Sequence, residues 1–309
     1  MMKRRAVRAA VLAVAYLLSG CTSTGSEPGP SSPPPGPGPV VIASFNFAES
    51  SVLAEIYAQS LEHAGIAVRR EFDLGPRDIV RPALQRGLVD LVPEYLGSAL
   101  TSADPNAQVA DRPADAVLAD LRRVAATSHL TVLQPSAAQD QNAFAVLAGT
   151  ASRLRLRTLS DLAPIAPRLV LGGATECPAR ELCYAGLRRV YGITFGRFLA
   201  FDDASQRLTA LREGVIDVEV TFTTDPQLAT GSIVPLRDDK GLQPVESVVP
   251  ILTDRVVREY GARLTRALDA VSANLDSSAL TFLNWRVAAG NDLRSEAHEW
   301  LQRHGLLGN

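Results

Sequence analysis

The sequence holds few of the residues on which catalysis and metal binding depend. Of its 309 residues, three are cysteine and four are histidine. His63, His129, His298 and His304 are scattered without ligand spacing, so the pattern supports no metal site. An enzyme would need a nucleophile with a base, or paired acids with a reason for a shifted pKa, and the sequence has no G-x-S-x-G element and no histidine beside a candidate nucleophile. The chain therefore does not read as an enzyme, and no cofactor is implied. Lysine occurs only as Lys3 and Lys240, the other basic residues being arginine, which we read as a compositional bias rather than as chemistry. The apolar stretch from Ala9 to Leu18 is too short to span a bilayer. Formal net charge is −2, and setting aside the four positive charges of Lys3, Arg4, Arg5 and Arg8 leaves −6. That sign disfavours nucleic acid or an anionic membrane surface as a direct partner.

The amino end settles the compartment. Four basic residues, no acid and a short apolar stretch read as a secretory signal over 1–20. Its end, Leu18-Ser19-Gly20-Cys21, resembles the lipobox of bacterial lipoproteins, which implies lipid on the Cys21 sulfur and cleavage before it. Residues 21–39 are dense in Pro, Gly and Ser and read as a semi-extended tether. Together they predict an exported protein, lipid-anchored on the extracytoplasmic face of the cell membrane. Cys177 and Cys183 lie six positions apart; in an oxidising compartment a small-loop disulfide is the default reading, and a redox or metal pair stays open.

From Val40 onward strand and helix signals alternate. Val40–Ile42 read as a strand ending at Ser44, and Asn46 with Glu49 three positions on reads as a capping-box start for a helix that Gly65 ends. A strand over 66–72, a helix over 76–86 and a strand over 88–92 follow, a βαβαβ pattern with a mainly parallel sheet. Pro93 cannot donate to a ladder, so the chain is expected to leave the sheet there and to place Glu94 and Tyr95 at a strand end, where open α/β sheets bind ligands. The stretch Ala83-Leu84-Gln85-Arg86-Gly87-Leu88-Val89-Asp90 has an echo 127 positions later in Ala210-Leu211-Arg212-Glu213-Gly214-Val215-Ile216-Asp217. Two similar lobes facing one cleft would explain it.

The runs ASFNFAESSVLAEIYAQSLEHAG, ALQRGLVDLVPEYLGSAL, LRRVYGITF, REGVIDVEVTFTTDP and VPLRDDKGLQPVESVVP, in this order, resemble the substrate-binding lipoproteins of osmoprotectant ABC importers, which bind glycine betaine, carnitine and choline. The resemblance implies an α/β, two-lobed periplasmic-binding-protein fold with two crossovers, closing by a hinge. It implies lobe one as 40–142 plus 249–309 and lobe two as 143–248, with Trp285 and Trp300 as core. The partners it implies are a small-molecule ligand, an ABC permease and its ATPase, and the expectation is a monomer. A quaternary ammonium cannot donate a hydrogen bond and is held by aromatic faces, each worth about 0.5–2 kcal/mol. The family's cage ring and small hydroxyl match Tyr95 and Ser98, a second ring matches Phe144, the ring before the TD motif falls nearest Phe222, and the carboxylate-gripping arginine falls at Arg180.

The departures from the family pattern matter as much. Phe45 stands where many members carry lysine, and Val245 and Glu246 stand where many carry tyrosine. A cage of Phe45, Tyr95, Phe144 and Phe222 follows, with Thr223 and Asp225 beside it. Glu94 or Glu246 would then face a cation that has no carboxylate, and a larger or uncharged ligand stays open. So does a sensor that uses the fold without transport.

Overall fold

The computed structural model describes residues 38–201 and 203–308. The signal over 1–20, Cys21 and almost all of the 21–39 tether lie outside the described residues.

Two five-stranded sheets form the scaffold. The first contains β1 (Val40–Phe45), β2 (Val68–Gly75), β3 (Leu91–Tyr95) and β4 (Leu130–Val132). The second contains β5 (Asn142–Leu147), β6 (Val170–Gly173), β7 (Arg197–Ala200), β8 (Val218–Phe222) and β9 (Ile233–Leu236), and β10 (Val248–Thr253) returns to the first. Their orders, β2-β1-β3-β10-β4 and β7-β6-β8-β5-β9, are the same arrangement written twice. Neither sheet is mainly parallel. Each has two parallel pairings, and each has two antiparallel ones made by the strand that arrives from the other lobe, β10 or β5.

Burial explains which segments became strands. β1 is buried along its whole length, as a central strand covered on both faces must be. The helix Ala48–His63 behind it is buried almost all round, because the helices Ala262–Asn274, Ser277–Ala288 and Leu293–Arg303 pack across its outer face. Trp300 belongs to that core, whereas Trp285 is 36% exposed and does not. The predicted capping box at Asn46 does not form: the helix starts one turn-position later, with Phe47 as N-cap and no side-chain cap.

The strand placed at 88–92 begins later and runs on through the proline. Leu88 is 63% exposed in the turn before β3. Pro93 stays in the sheet because it faces Pro250 of β10, whose carbonyl accepts from Leu133 N–H on the far side. The two prolines thus form a pair that needs no hydrogen bond between them, and the ladder to β1 has already ended at Leu91.

The sequence echo is a structural one. Gly87 and Gly214 both take the left-handed conformation, φ +68° and +73°, that ends the preceding helix. The aspartate three positions on then clamps the neighbouring strand: Val41 N–H donates to Asp90 Oδ2 at 3.1 Å and Val170 N–H donates to Asp217 Oδ2 at 2.8 Å. In return the Asp90 and Asp217 N–H groups donate to the Val41 and Val170 carbonyls.

The crossovers, β4 to β5 and β9 to β10, run side by side and are tied by an antiparallel bridge between Gln139 and Ser247. Asp140 N–H donates to the Glu246 carbonyl at 3.2 Å, and Val248 N–H to the Ala138 carbonyl at 2.9 Å. These two ties make a narrow hinge between the sheets.

Candidate functional site

A cleft of about 550 Å³ lies beyond the carboxyl ends of β1, β3 and β8. Lobe one contributes Phe47, Glu49, Arg77, Tyr95 and Ser98, the hinge contributes Asp140, and Asn284 comes from the helix Ser277–Ala288. Phe222, Thr224 and Asp225 close the far side. This is where a doubly wound sheet is expected to bind, since its strands point their free ends there.

Rings line the lobe-one wall in a row. Phe45 and Phe47 stack with centroids 5.8 Å apart, and Phe47 and Tyr95 with centroids 6.2 Å apart. Phe47 is 43% exposed, and Tyr95, which also lines the cleft, shows 6% of its surface. Across the gap Phe222 is 51% exposed. Exposed aromatic rings on both walls of a cleft are unusual for a structural role alone, because burying each would gain about 2 kcal/mol.

The charges around these rings are mostly negative. Arg77 is held by Glu94, its Nε 3.0 Å from Oε1 and its Nη2 3.0 Å from Oε2, with the guanidinium 5.0 Å from the Phe45 centroid. Burial alone would lower the Arg77 pKa, but the Glu94 charge and hydrogen bonds outweigh it and raise it. Glu49 accepts the Tyr95 hydroxyl at 2.5 Å and Asn284 Nδ2 at 2.5 Å. Burial pushes the Glu49 carboxyl up, against the hydrogen bonds from Tyr95 and Asn284. Asp140 is pushed up to about 8, first by burial and then by the Glu49 charge, although Thr224 donates to it at 2.7 Å. Glu246, also raised by burial, accepts Ser98 N–H at 3.0 Å and its hydroxyl at 2.8 Å. Gly97 allows this close approach: a Cβ there would sit 2.9 Å from the Val245 carbonyl oxygen. Carboxyl groups packed around rings, with the nearby arginine already paired, make a site complementary to a cation that has apolar substituents.

A sequence model of the substrate-binding domain of ABC-type glycine betaine transport systems matches residues 38–303. The chain belongs to that family. Glycine betaine-binding protein YehZ of Escherichia coli is 25% identical over 278 residues, which are 86% of this chain and 91% of that protein. A glycine-betaine-binding protein of Pseudomonas aeruginosa is 28% identical over 280 residues, 86% of this chain and 88% of the relative. The solved structure of apo YehZ matches with a TM-score of 0.77 at 25% identity, over 87% of this chain and 99% of that one.

A substrate-binding domain of an ABC importer works outside the cytoplasm, beside a membrane permease, and binds its solute without transforming it. Among the described residues no helix is long and apolar enough to cross a membrane.

In this substrate-binding domain the residues singled out from the sequence divide into two groups. Tyr95, Ser98, Phe222 and Asp225 come together around the cleft. Asp225 Oδ1 also accepts Gln227 N–H at 2.9 Å and so caps a short 3₁₀ turn. The others are placed elsewhere. Phe45, 2% exposed, is the last residue of β1 and packs in the lobe-one core, whereas Phe47 lies past the strand end, at the N-cap of the next helix, and reaches the cleft. Phe144, 1% exposed, lies in β5 between β8 and β9 and packs in the lobe-two core. Thr223 belongs to the hinge, where it exchanges bonds with Gln141 and donates its hydroxyl to the Gln139 carbonyl at 3.1 Å. Glu94 is buried in its ion pair with Arg77 and does not line the cleft. Arg180 is exposed and pairs with Glu176 at 3.2 Å beside the Cys177–Cys183 disulfide. It lines a separate lobe-two hollow of about 240 Å³ that shares Phe222 with the cleft.

Sequence reasoning missed Phe47, Glu49, Arg77, Asp140, Thr224 and Asn284. Phe47 carried a usable signal, since ASFNF holds two rings on one strand exit and only the later one clears the sheet. Glu49 was assigned to a cap because its spacing from Asn46 suited one. Asp140 and Asn284 had no local signal; only the return of the last helices onto the hinge brings them in.

Proposed function

We propose that the protein captures a quaternary-ammonium osmoprotectant of the glycine betaine, choline or carnitine type in this cleft and delivers it to an ABC permease driven by its ATPase. Phe47 and Tyr95 on one lobe and Phe222 on the other form the cage, with Glu49 and Asp140 as counter-charges. The observation that carries this reading is the pairing of exposed rings with buried carboxyls around a space large enough for a small solute. When the lobes close, Phe222 approaches the Phe47–Tyr95 wall, and Arg180, held by its disulfide loop, borders the same entrance. In the cell the protein acts as a monomer held at the outer face of the membrane by lipid on Cys21, with residues 21–39 as tether.

Calorimetric titration with glycine betaine, choline and carnitine tests this. At least one should saturate a single site, and Phe47→Ala or Phe222→Ala should weaken it by about 2- to 30-fold, the range of one cation–π contact. Binding that ignores both substitutions would place the solute elsewhere.

A further inference from the structure

The inner wall of the cleft is built almost wholly of acceptors. Tyr95 gives its only hydroxyl proton to Glu49, and Thr224 gives its own to Asp140. Asn284 Nδ2 donates to Glu49 and, at 3.0 Å, to the Thr224 carbonyl. The donors of this group are therefore committed to protein acceptors. What remains is the Asn284 Oδ1, on a side chain only 8% exposed that lines the cleft, with no partner among the described residues. A buried acceptor without a donor is destabilising, and a ligand donor would relieve it. Arg77, the cation that lines the cleft, already pairs with Glu94 through two of its nitrogens.

We propose that Glu49, Asp140 and Asn284 form an acceptor subsite for a hydrogen-bond donor on the ligand, so that the cleft prefers an ammonium bearing a hydroxyl or N–H group to one bearing a carboxylate. This rests on the cage reading above and narrows it. A ligand carboxylate would meet the acceptor oxygens of Glu49 and Asn284 and, behind Ser98, of Glu246, with Asp225 on the opposite wall. Burial, with Glu49 and Glu246 beside it, holds a proton on Asp140 in the empty cleft. An incoming cation favours the ionised carboxyl, so capture releases a proton. The charged and titratable groups around this pair are Tyr95, Glu94, Glu246, Asp225 and Arg77, and what opposes the proton's retention on Asp140 is hydrogen bonding from Thr224.

The test is calorimetry with three probes, tetramethylammonium, choline and glycine betaine, in buffers of different ionisation enthalpy. Choline should bind at least tenfold more tightly than glycine betaine, with tetramethylammonium between them and a proton released on choline binding. Asp140→Asn and Glu49→Gln should each shrink choline's advantage to under threefold, and Asp140→Asn should abolish the proton release. Glycine betaine binding as tightly as choline would overturn this inference while leaving the cage intact, provided that Phe47→Ala still weakens all three probes. Loss of none of the three in Phe47→Ala, or no binding by any of them, would overturn the cage and this subsite with it.

Discussion

Lobe one and lobe two repeat the same helix, glycine and strand, yet the strands deliver different chemistry to the cleft. β3 ends in Pro93, Glu94 and Tyr95, all buried, with Glu94 in an ion pair to Arg77 and Tyr95 hydrogen-bonded to Glu49. β8 ends in Phe222, half exposed, and passes into Thr223, Thr224 and Asp225, which hold the hinge and a short turn. The aspartates behind them diverge in the same sense. Asp217 clamps the start of β6. Asp90 does the same for β1 and also accepts Thr253 Oγ1 at 3.0 Å and Arg255 Nη2 at 2.6 Å, because β10 and the helix after it return beside it. One half of the molecule is therefore a fixed wall and the other presents an exposed ring to it.

The comparison can be broken first at the two aspartates. Asp90→Ala strands the Val41 N–H and the Thr253 hydroxyl, each at about 1–3 kcal/mol, while Arg255, 44% exposed, keeps its pair with Glu259 and adds little. Asp217→Ala leaves one backbone N–H unpaired and should cost about 1–3 kcal/mol. Urea denaturation measures both; equal losses would mean that the extra partners of Asp90 add nothing.

Tyr95→Phe and Phe222→Leu sharpen the contrast at the rims. The first keeps the ring but takes the hydroxyl donor from Glu49 Oε1 and leaves that buried carboxyl with Asn284 as its remaining donor, and should lower stability by about 1–3 kcal/mol. The second changes an exposed ring and should leave stability within about 0.5 kcal/mol while weakening ligand affinity. A Phe222 substitution that unfolds the protein would contradict the exposed-ring role.

The smallest effect concerns pH. Asp140 in the hinge is raised to about 8, and Glu219 in lobe two to about 7, by burial first, with Asp225 adding and Arg207 and Arg212 opposing. Both pKa values lie above the unfolded range near 4, so the folded state binds more protons between about pH 4 and 8. The empty protein should thus lose stability as pH rises through that window. Thermal midpoints at pH 5.5 and 8.5 check this, and Asp140→Asn should flatten the difference.

The two-lobed α/β plan was legible because it rests on local grammar: apolar strands, a glycine stop after a helix, and an eight-residue pattern at 83–90 that has a similar counterpart at 210–217. The cleft was half legible. Tyr95 and Phe222 follow strands, and strand ends are where ligands go. Phe45 and Phe144 were misplaced because a ring near a strand end reads the same from sequence whether it faces core or solvent. Pro93 was read as an exit because its pairing with Pro250, 157 positions away, is invisible locally. Glu49, Asp140 and Asn284 meet only through tertiary packing, and no spacing along the chain announces them.

The most direct test of the central claim is a crystal structure with tetramethylammonium or choline bound. The account predicts the quaternary nitrogen within about 6 Å of the ring centroids of Phe47, Tyr95 and Phe222. A ligand seated beside Arg180 in the lobe-two hollow, out of reach of Phe47 and Tyr95, would contradict it.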